Sequence, residues 1–563
     1  MKPGAVTVLN HQKTNNIFQR GFLMKLISLL GMFILLFIAW LMSYERKKIQ
    51  IRTVIWGMGL QLLFAVIILQ KGLFSFIGMG ILAFLIVLFQ FKEELKIPEK
   101  RGLAILKGLG WTLIPGIVWF FVYKIAHGAL VLILLLLGII LFNKLKNRTF
   151  SQILSLLFIV AIFTLPISRG YDGELIFQSF SNKVAEFLNM SNYGAAFLFG
   201  NLVETQYFFP AVDTWPGFGY QFAFKVLPTI VFFAGFMSIL YHLGVMQKVI
   251  VAMARFMQWT MGTSGAETLS CSANIFVGQT EAPLLIKPFI KDMTNSELLT
   301  IMVGGFATIA GGVLAGYIAM GINAGHLIAA SVMSAPAALV IGKIIFPETQ
   351  KSKTAGTVEM PEMPRNANVI DAAASGITDG LKLAVNVGAM LLGFIALIAV
   401  IDVFLNWLDM LIDGRLLGGV LYEYTAKTVS SPITKEYAGI FPGSLKTLFG
   451  NLLRPLAFVM GVPWNEAHLV GNLLGIKLSL NEFVAYGNLG TYIHSNVLGE
   501  RAQIISTYAL CGFANFSSIA IQLGGISALA PGRRADLSRV ALKAMFGGAL
   551  ASWTTATLAG ILI

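Results

Sequence analysis

The chain has 563 residues, of which 56% are apolar types and only 12% are charged, about half the charged share of a soluble domain. Its mean hydropathy is +0.77. A soluble globular fold and a disordered chain are both excluded: polar surface is too scarce to cover such a core, and apolar surface too abundant to stay solvated.

The reading that remains is an all-α polytopic membrane protein. The net charge of +14 sits mostly in short loops between apolar runs, where it reports topology rather than a nucleic-acid partner. Two cysteines, Cys271 and Cys511, make no disulfide framework. The histidines are scattered without metal-ligand spacing, and no Walker A, GxSxG or GxGxxG motif marks a soluble catalytic domain. Neither an enzyme nor ATP-driven transport by this chain alone is expected.

Residues 1–25 read as a polar tail, followed by a retained span rather than a cleaved signal. Predicted spans in the first half are Leu26–Ser43, Val54–Leu69, Leu73–Phe91, Leu109–Tyr123, Ala129–Phe142 and Ile153–Ile167. Glu174–Leu188 spaces Ile176, Phe180, Val184 and Phe187 as an interfacial helix does. Phe222–Leu243 is another span. Alternate loops up to Arg148 carry twelve Lys and Arg, against Lys71, Lys124, Arg169 and Lys183 opposite. The positive-inside rule puts the twelve in the cytoplasm, and leaves Lys2, Lys13, Arg20 and Lys25 outside against that rule.

In the second half the apolar runs are broken by Gly, Pro, Asn, Thr and Glu. Leu298–Met320, His326–Ile345, Ile504–Leu529 and Val540–Ile563 read as spans, and Val369–Trp407 as a long helix after the polar linker Phe346–Asn368. Gly265–Ile290 and Leu445–Tyr492 read as re-entrant hairpins, which membranes tolerate only where protein or a water-filled cavity surrounds the backbone. The segment Gly305-Phe306-Ala307-Thr308 recurs as Gly512-Phe513-Ala514-Asn515. Each copy follows a carboxylate, Glu281 or Glu482, and precedes an Ala-Pro pair, Ala335-Pro336 or Ala530-Pro531. Internal repeats, broken helices and membrane carboxylates together point to a secondary transporter. Other readings stay open for single residues. Glu281 and Glu482 could serve only to hold the hairpins, and Thr308 and Ser518 could bond back to their own helices.

Three motifs carry a closer likeness: Asn274-Ile275-Phe276-Val277-Gly278-Gln279-Thr280-Glu281-Ala282-Pro283, Asn481-Glu482-Phe483-Val484-Ala485-Tyr486, and Ala509 through Ser518. At these residues the chain resembles the concentrative nucleoside transporter family, from about Tyr193 to the C-terminus and over the first two spans. The resemblance implies a core of eight transmembrane helices plus two re-entrant hairpins in internal inverted repeats, which this chain's four further apolar runs raise to about twelve transmembrane helices, with a scaffold and a mobile transport domain that moves as an elevator. It also implies a homotrimer in the cell membrane. The block 71–167 looks inserted relative to the family's bacterial core. The implied organisation is tail 1–25, first spans 26–70, inserted block 71–167, interfacial segment and scaffold helix 168–263, first transport repeat 264–345, linker 346–368, long scaffold helix and loop 369–440, and second transport repeat 441–563.

By the same resemblance, Gln279, Thr280 and Glu281 would face a nucleoside's base. Glu482, Asn515 and Ser518 would hold its ribose, with Phe513 and Val313 lining the pocket. Asn274 and Thr308 side chains with Val277 and Ile309 carbonyls match the family's sodium site. The expected activity is sodium-coupled nucleoside import, with proton coupling, a channel or a membrane-embedded enzyme as rivals. Gly278 at the hairpin tip and Gly312 opposite would leave room under the base for purines and pyrimidines alike. Glycines 376, 380, 388 and 393 would let the long helix approach others closely near a trimer axis.

Overall fold

The computed structural model describes residues 3–125, 148–203, 221–356, 360, 366–417, 422–423, 437–438 and 440–563. The predicted span Ala129–Phe142 and the loop lysines Lys144 and Lys146 lie outside these. The chain divides into two compact units, Leu62–Phe180 and the remainder, Met1–Gln61 with Ser181–Ile563. Among the described residues nine helices are long and apolar enough to cross a bilayer.

The helices, in chain order, begin with α1 (Pro3–Leu41), α2 (Ile51–Leu69), α3 (Leu73–Gln90), α4 (Arg101–Ile125), α5 (Arg148–Ser168) and α6 (Gly173–Asn189). The smaller unit packs Val87, Leu156 and Val160 against Trp111 and Trp119. Asp172 starts α6 by accepting Leu175 N at 2.9 Å, and it also accepts Gly72 N at 2.7 Å.

The larger unit continues with α7 (Phe222–His242), α8 (Val245–Met261), α9 (Gly265–Ala273), α10 (Asn295–Ala307), α11 (Gly311–Ala319) and α12 (Ala324–Ile345). The long helix α13 (Val369–Asp409) follows. Then come α14 (Leu445–Val459), α15 (Ala467–Ser479), α16 (Glu482–His494), α17 (Glu500–Leu510), α18 (Phe516–Leu529) and α19 (Arg534–Leu562). The predicted spans Leu298–Met320 and Ile504–Leu529 are therefore each two short helices separated by a break, α10/α11 and α17/α18.

Capping boxes start α9 and α10: Ser264 pairs with Glu267, and Thr294 with Glu297. Lys343 near the end of α12 binds Glu267 at 2.7 Å and Glu348 at 3.2 Å, fastening the linker to α9. Helices α10, α12, α17 and α19 pack on one another. In the most apolar 18-residue window of Asn295–Ala319 89% is buried, and in that of Pro531–Leu562 83%, whereas in that of Val369–Leu416 only 19% is. The core therefore lies in the repeats, and the long apolar helix turns most of its surface outward.

Two sequence expectations change. The segment Leu445–Val459 is no part of the second hairpin. It is an amphipathic helix, α14, packed along α15, and the hairpin is α15–α16. The two Ala-Pro pairs are not equivalent: Pro336 lies inside α12, while Pro531 opens the turn before α19. The close approach expected of the α13 glycines is found, and its partner within the chain is α7. A Cβ at Gly376 would lie 2.5 Å from Ser238 Cβ, and one at Gly380 2.7 Å from Ala234 Cβ, both on α7; Gly388 also faces α7, and Gly393 meets nothing.

Candidate functional site

The two hairpin tips and the two helix breaks converge. After α9 the chain runs irregularly through Asn274–Glu281, and Phe276 O accepts the N–H of Gly311, just past the first break, at 3.1 Å. Only glycine fits at 311, since a Cβ would sit 2.6 Å from that carbonyl. At the second break Gly512 has φ +146, and Phe513 N donates to Thr308 O at 3.2 Å, so the breaks touch directly.

Four of the predicted nucleoside residues join one hydrogen-bond chain. Asn515 caps α18, its Oδ1 accepting Ser518 N at 2.8 Å. Its Nδ2 donates to Glu482 Oε2 at 3.1 Å. Ser518 Oγ accepts from Gln279 Nε2 at 3.1 Å, across 239 residues of sequence. Glu482 is buried at the start of α16, where the helix dipole favours a carboxylate, and Asn481 caps the same helix.

Two members of this chain escaped the sequence reading. Tyr317 Oη donates to Glu482 Oε1 at 3.1 Å, and Gln522 Nε2 donates to Gln279 Oε1 at 3.0 Å. Gln522 had a legible signal: an amide in an apolar helix, four residues after Ser518 and so on the same face. Tyr317 had none, because a tyrosine in an apolar run normally packs.

Glu281 stands apart. It is exposed, and its Oε2 accepts the N–H of Gly278 at 2.5 Å, within its own hairpin. Gly278 does not adopt a positive φ, so it is not there for turn freedom; a Cβ would crowd Glu281 Oε2 at 2.9 Å and Ala310 Cβ at 3.4 Å. Thr280 packs beside Gly525 of α18. Val313 is buried in the first turn of α11, and Gly312 faces Leu383 of α13. Phe513 is half-buried.

The predicted cation residues line the first seam. Asn274 ends α9 with Nδ2 bonded to Ser270 O at 3.1 Å, and its Oδ1 is buried with no donor among the described residues. Thr308 bonds back to its own helix, donating its proton to Gly304 O at 3.0 Å, and its oxygen lone pairs remain. Ile309 lies in the break and Val277 in the facing tip. A buried amide oxygen without a donor fits a cation with oxygen ligands.

Residues 326–560 match the family Na+ dependent nucleoside transporter C-terminus, 223–324 match Nucleoside recognition, and 30–91 match Na+ dependent nucleoside transporter N-terminus. The chain belongs to the Na+ dependent nucleoside transporters.

Relatives agree with this family. Sodium/nucleoside cotransporter 1 of Mus musculus is 39% identical over 499 residues, covering 84% of this chain and 70% of that one. An uncharacterized transporter of Haemophilus influenzae is 41% identical, covering 77% of this chain and 96% of its own. The solved structure of CNTnw in an inward-facing substrate-bound state has a TM-score of 0.67 at 33% identity, covering 96% of this chain and 98% of that chain. The family is one of multi-pass cell-membrane transporters rather than enzymes, and sodium is its coupling ion. Its N-terminal match reaches residue 91, and so takes in the run Leu73–Phe91 at the head of the block that looked inserted.

Proposed function

We propose that this chain imports nucleosides by sodium symport, with the ribose held by Glu482, Asn515 and Ser518, the base by Gln279, Thr280 and Glu281, and Phe513 and Val313 lining the pocket. The hydrogen-bond chain from Gln279 through Ser518 and Asn515 to Glu482 carries the reading. It joins acceptors and donors of both repeats in one place, and vicinal hydroxyls could exchange into it bond for bond. A carboxylate accepting from neutral donors suits sugar hydroxyls, and an amide that donates and accepts suits either base edge. Sodium takes the seam of Asn274, Val277, Thr308 and Ile309, where the buried Asn274 Oδ1 wants a cation.

An elevator motion fits the contrast between the buried repeats and the outward-facing α13. In this reading the repeats move as a body against α13 and its neighbours. A homotrimer fits the same helix, whose Ile370, Leu392 and Val400 are 81%, 76% and 67% exposed within one chain. Phosphates would meet Glu281 and Glu482, so nucleotides are excluded, and the missing side chain at Gly278 leaves the tip able to admit purines with pyrimidines; Gly312 faces Leu383 and takes no part.

Counterflow of labelled uridine in proteoliposomes tests the activity, since only a carrier gives exchange-stimulated accumulation. Uptake should follow an inward sodium gradient and ignore a pH gradient; the reverse dependence overturns sodium symport. Adenosine, inosine, cytidine and thymidine should all compete. Native mass spectrometry should show a trimer.

A further inference from the structure

The two repeats meet the same electrostatic problem. In each, a hairpin helix packs against a helix that stops short, α9 against α10 and α15 against α17. A stopped helix leaves its last carbonyls without intrahelical partners, at the negative end of the dipole.

The repeats answer differently. In the first, Gly304 O takes the Thr308 hydroxyl, and beside it Asn274 Oδ1 is buried without a donor among the described residues. In the second, three of the last four carbonyls have their own donors. Thr507 O accepts Tyr486 Oη at 2.8 Å, Tyr508 O accepts Cys511 N at 3.2 Å, and Ala509 O accepts Lys477 Nζ at 2.9 Å. Lys477 has no exposed surface. It sits in the last turn of α15, five residues before Glu482. An ammonium buried among apolar helices is costly unless negative charge answers it. The end of α17 answers it directly through Ala509 O.

We propose that Lys477 is a tethered cation, filling in the second repeat the place that a soluble sodium ion takes in the first. The second repeat then needs no ion of its own, and coupling runs through the first repeat alone. Lys477 is a positioning residue: it holds the end of α17, and through it the break that sets Asn515 against Glu482. The inference rests on the sodium site proposed at Asn274.

The test uses the full chain in lipid nanodiscs. Uridine binding is titrated against sodium, and the melting temperature is read in sodium, ethylammonium or choline. Lys477→Ser removes the ammonium and leaves a small polar space; Lys477→Met removes the charge and keeps the volume. Wild type should show a sodium slope of about one, as one linked ion gives. Lys477→Ser should bind uridine about tenfold more weakly at low sodium, as loss of a charge-assisted hydrogen bond predicts. High sodium should recover it with a steeper slope, and ethylammonium, but not choline, should restore the melting temperature. Lys477→Met should lose the same affinity without rescue, because its side chain blocks the space. If Lys477→Ser cannot be recovered folded in choline, its recovery in ethylammonium is the same rescue.

A wild-type slope near two, wild-type affinity in Lys477→Met, or a Lys477→Ser variant that no cation rescues overturns the proposal. Uridine binding by wild type that ignores sodium overturns the sodium site instead, and the ethylammonium arm still decides Lys477.

Discussion

The two hairpins present the same residue types in opposite states. In the first, Glu281 is exposed and accepts the Gly278 N–H of its own hairpin, and Asn274 Oδ1 has no donor among the described residues. In the second, Glu482 is buried between Tyr317 and Asn515, and Lys477 closes the neighbouring helix end. The two carboxylates thus differ in what each finds inside the chain: Glu482 has side-chain donors, and Glu281 a backbone N–H of its own hairpin. A buried acceptor left unpaired costs about 1–3 kcal/mol, and among the described residues each hairpin holds one, Asn274 Oδ1 in the first and Asn472 Oδ1 in the second. What separates the repeats is the stopped helix end, which a buried ammonium, Lys477, closes in the second.

Exchanging carboxylate for amide should break this comparison most visibly. Glu482→Gln loses charge-assisted hydrogen bonds worth about 1.5–3 kcal/mol, so uridine binding should weaken roughly 10- to 150-fold while the protein still folds. Glu281→Gln, exposed, should cost about 0.5–1.5 kcal/mol, or roughly 2- to 13-fold. Calorimetric titration of both variants measures the gap, and equal losses would erase the distinction between the hairpins.

The ion comes next. Asn274→Ala removes the oxygen that has no donor, so the sodium concentration for half-maximal uptake should rise about tenfold, a loss of about 1.4 kcal/mol. Uridine affinity at saturating sodium should stay near wild type. A sodium curve that does not move places the cation elsewhere.

A smaller effect sharpens the closed side. Tyr317→Phe deletes one neutral donor to Glu482, worth about 1 kcal/mol, so uridine binding should fall about fivefold. No change would mean that the carboxylate is positioned by Asn515 alone.

The smallest effect concerns the tip. Gly278→Ser should lower purine uptake about two- to threefold, below 1 kcal/mol, and leave pyrimidine uptake unchanged. A parallel fall of both would trace instead to the crowded Gly278–Glu281 bond. Competition against labelled uridine separates these outcomes.

Much of this was readable in the amino-acid order. A run of apolar residues in a chain with 12% charge must be a membrane helix, because each backbone group in lipid needs a partner within its own segment. Gly, Asn and Thr inside such runs mark where helices stop, and the breaks at 308–310 and 511–515 fall where those residues cluster. The paired motifs named the residues of the hydrogen-bond chain, since Asn481 and Asn515 declare helix starts by their type. Tertiary structure alone decided the rest. It separated Leu445–Val459 from the second hairpin, because an apolar stripe does not say which neighbour covers it. It set Glu281 and Glu482 in different surroundings, and brought Tyr317, Gln522 and Lys477 to the site. Those assignments depend on contacts between residues as far apart as Gln279 and Gln522, 243 positions away. Whether a polar atom is paired or orphaned is a property of such contacts, not of the residue that carries it.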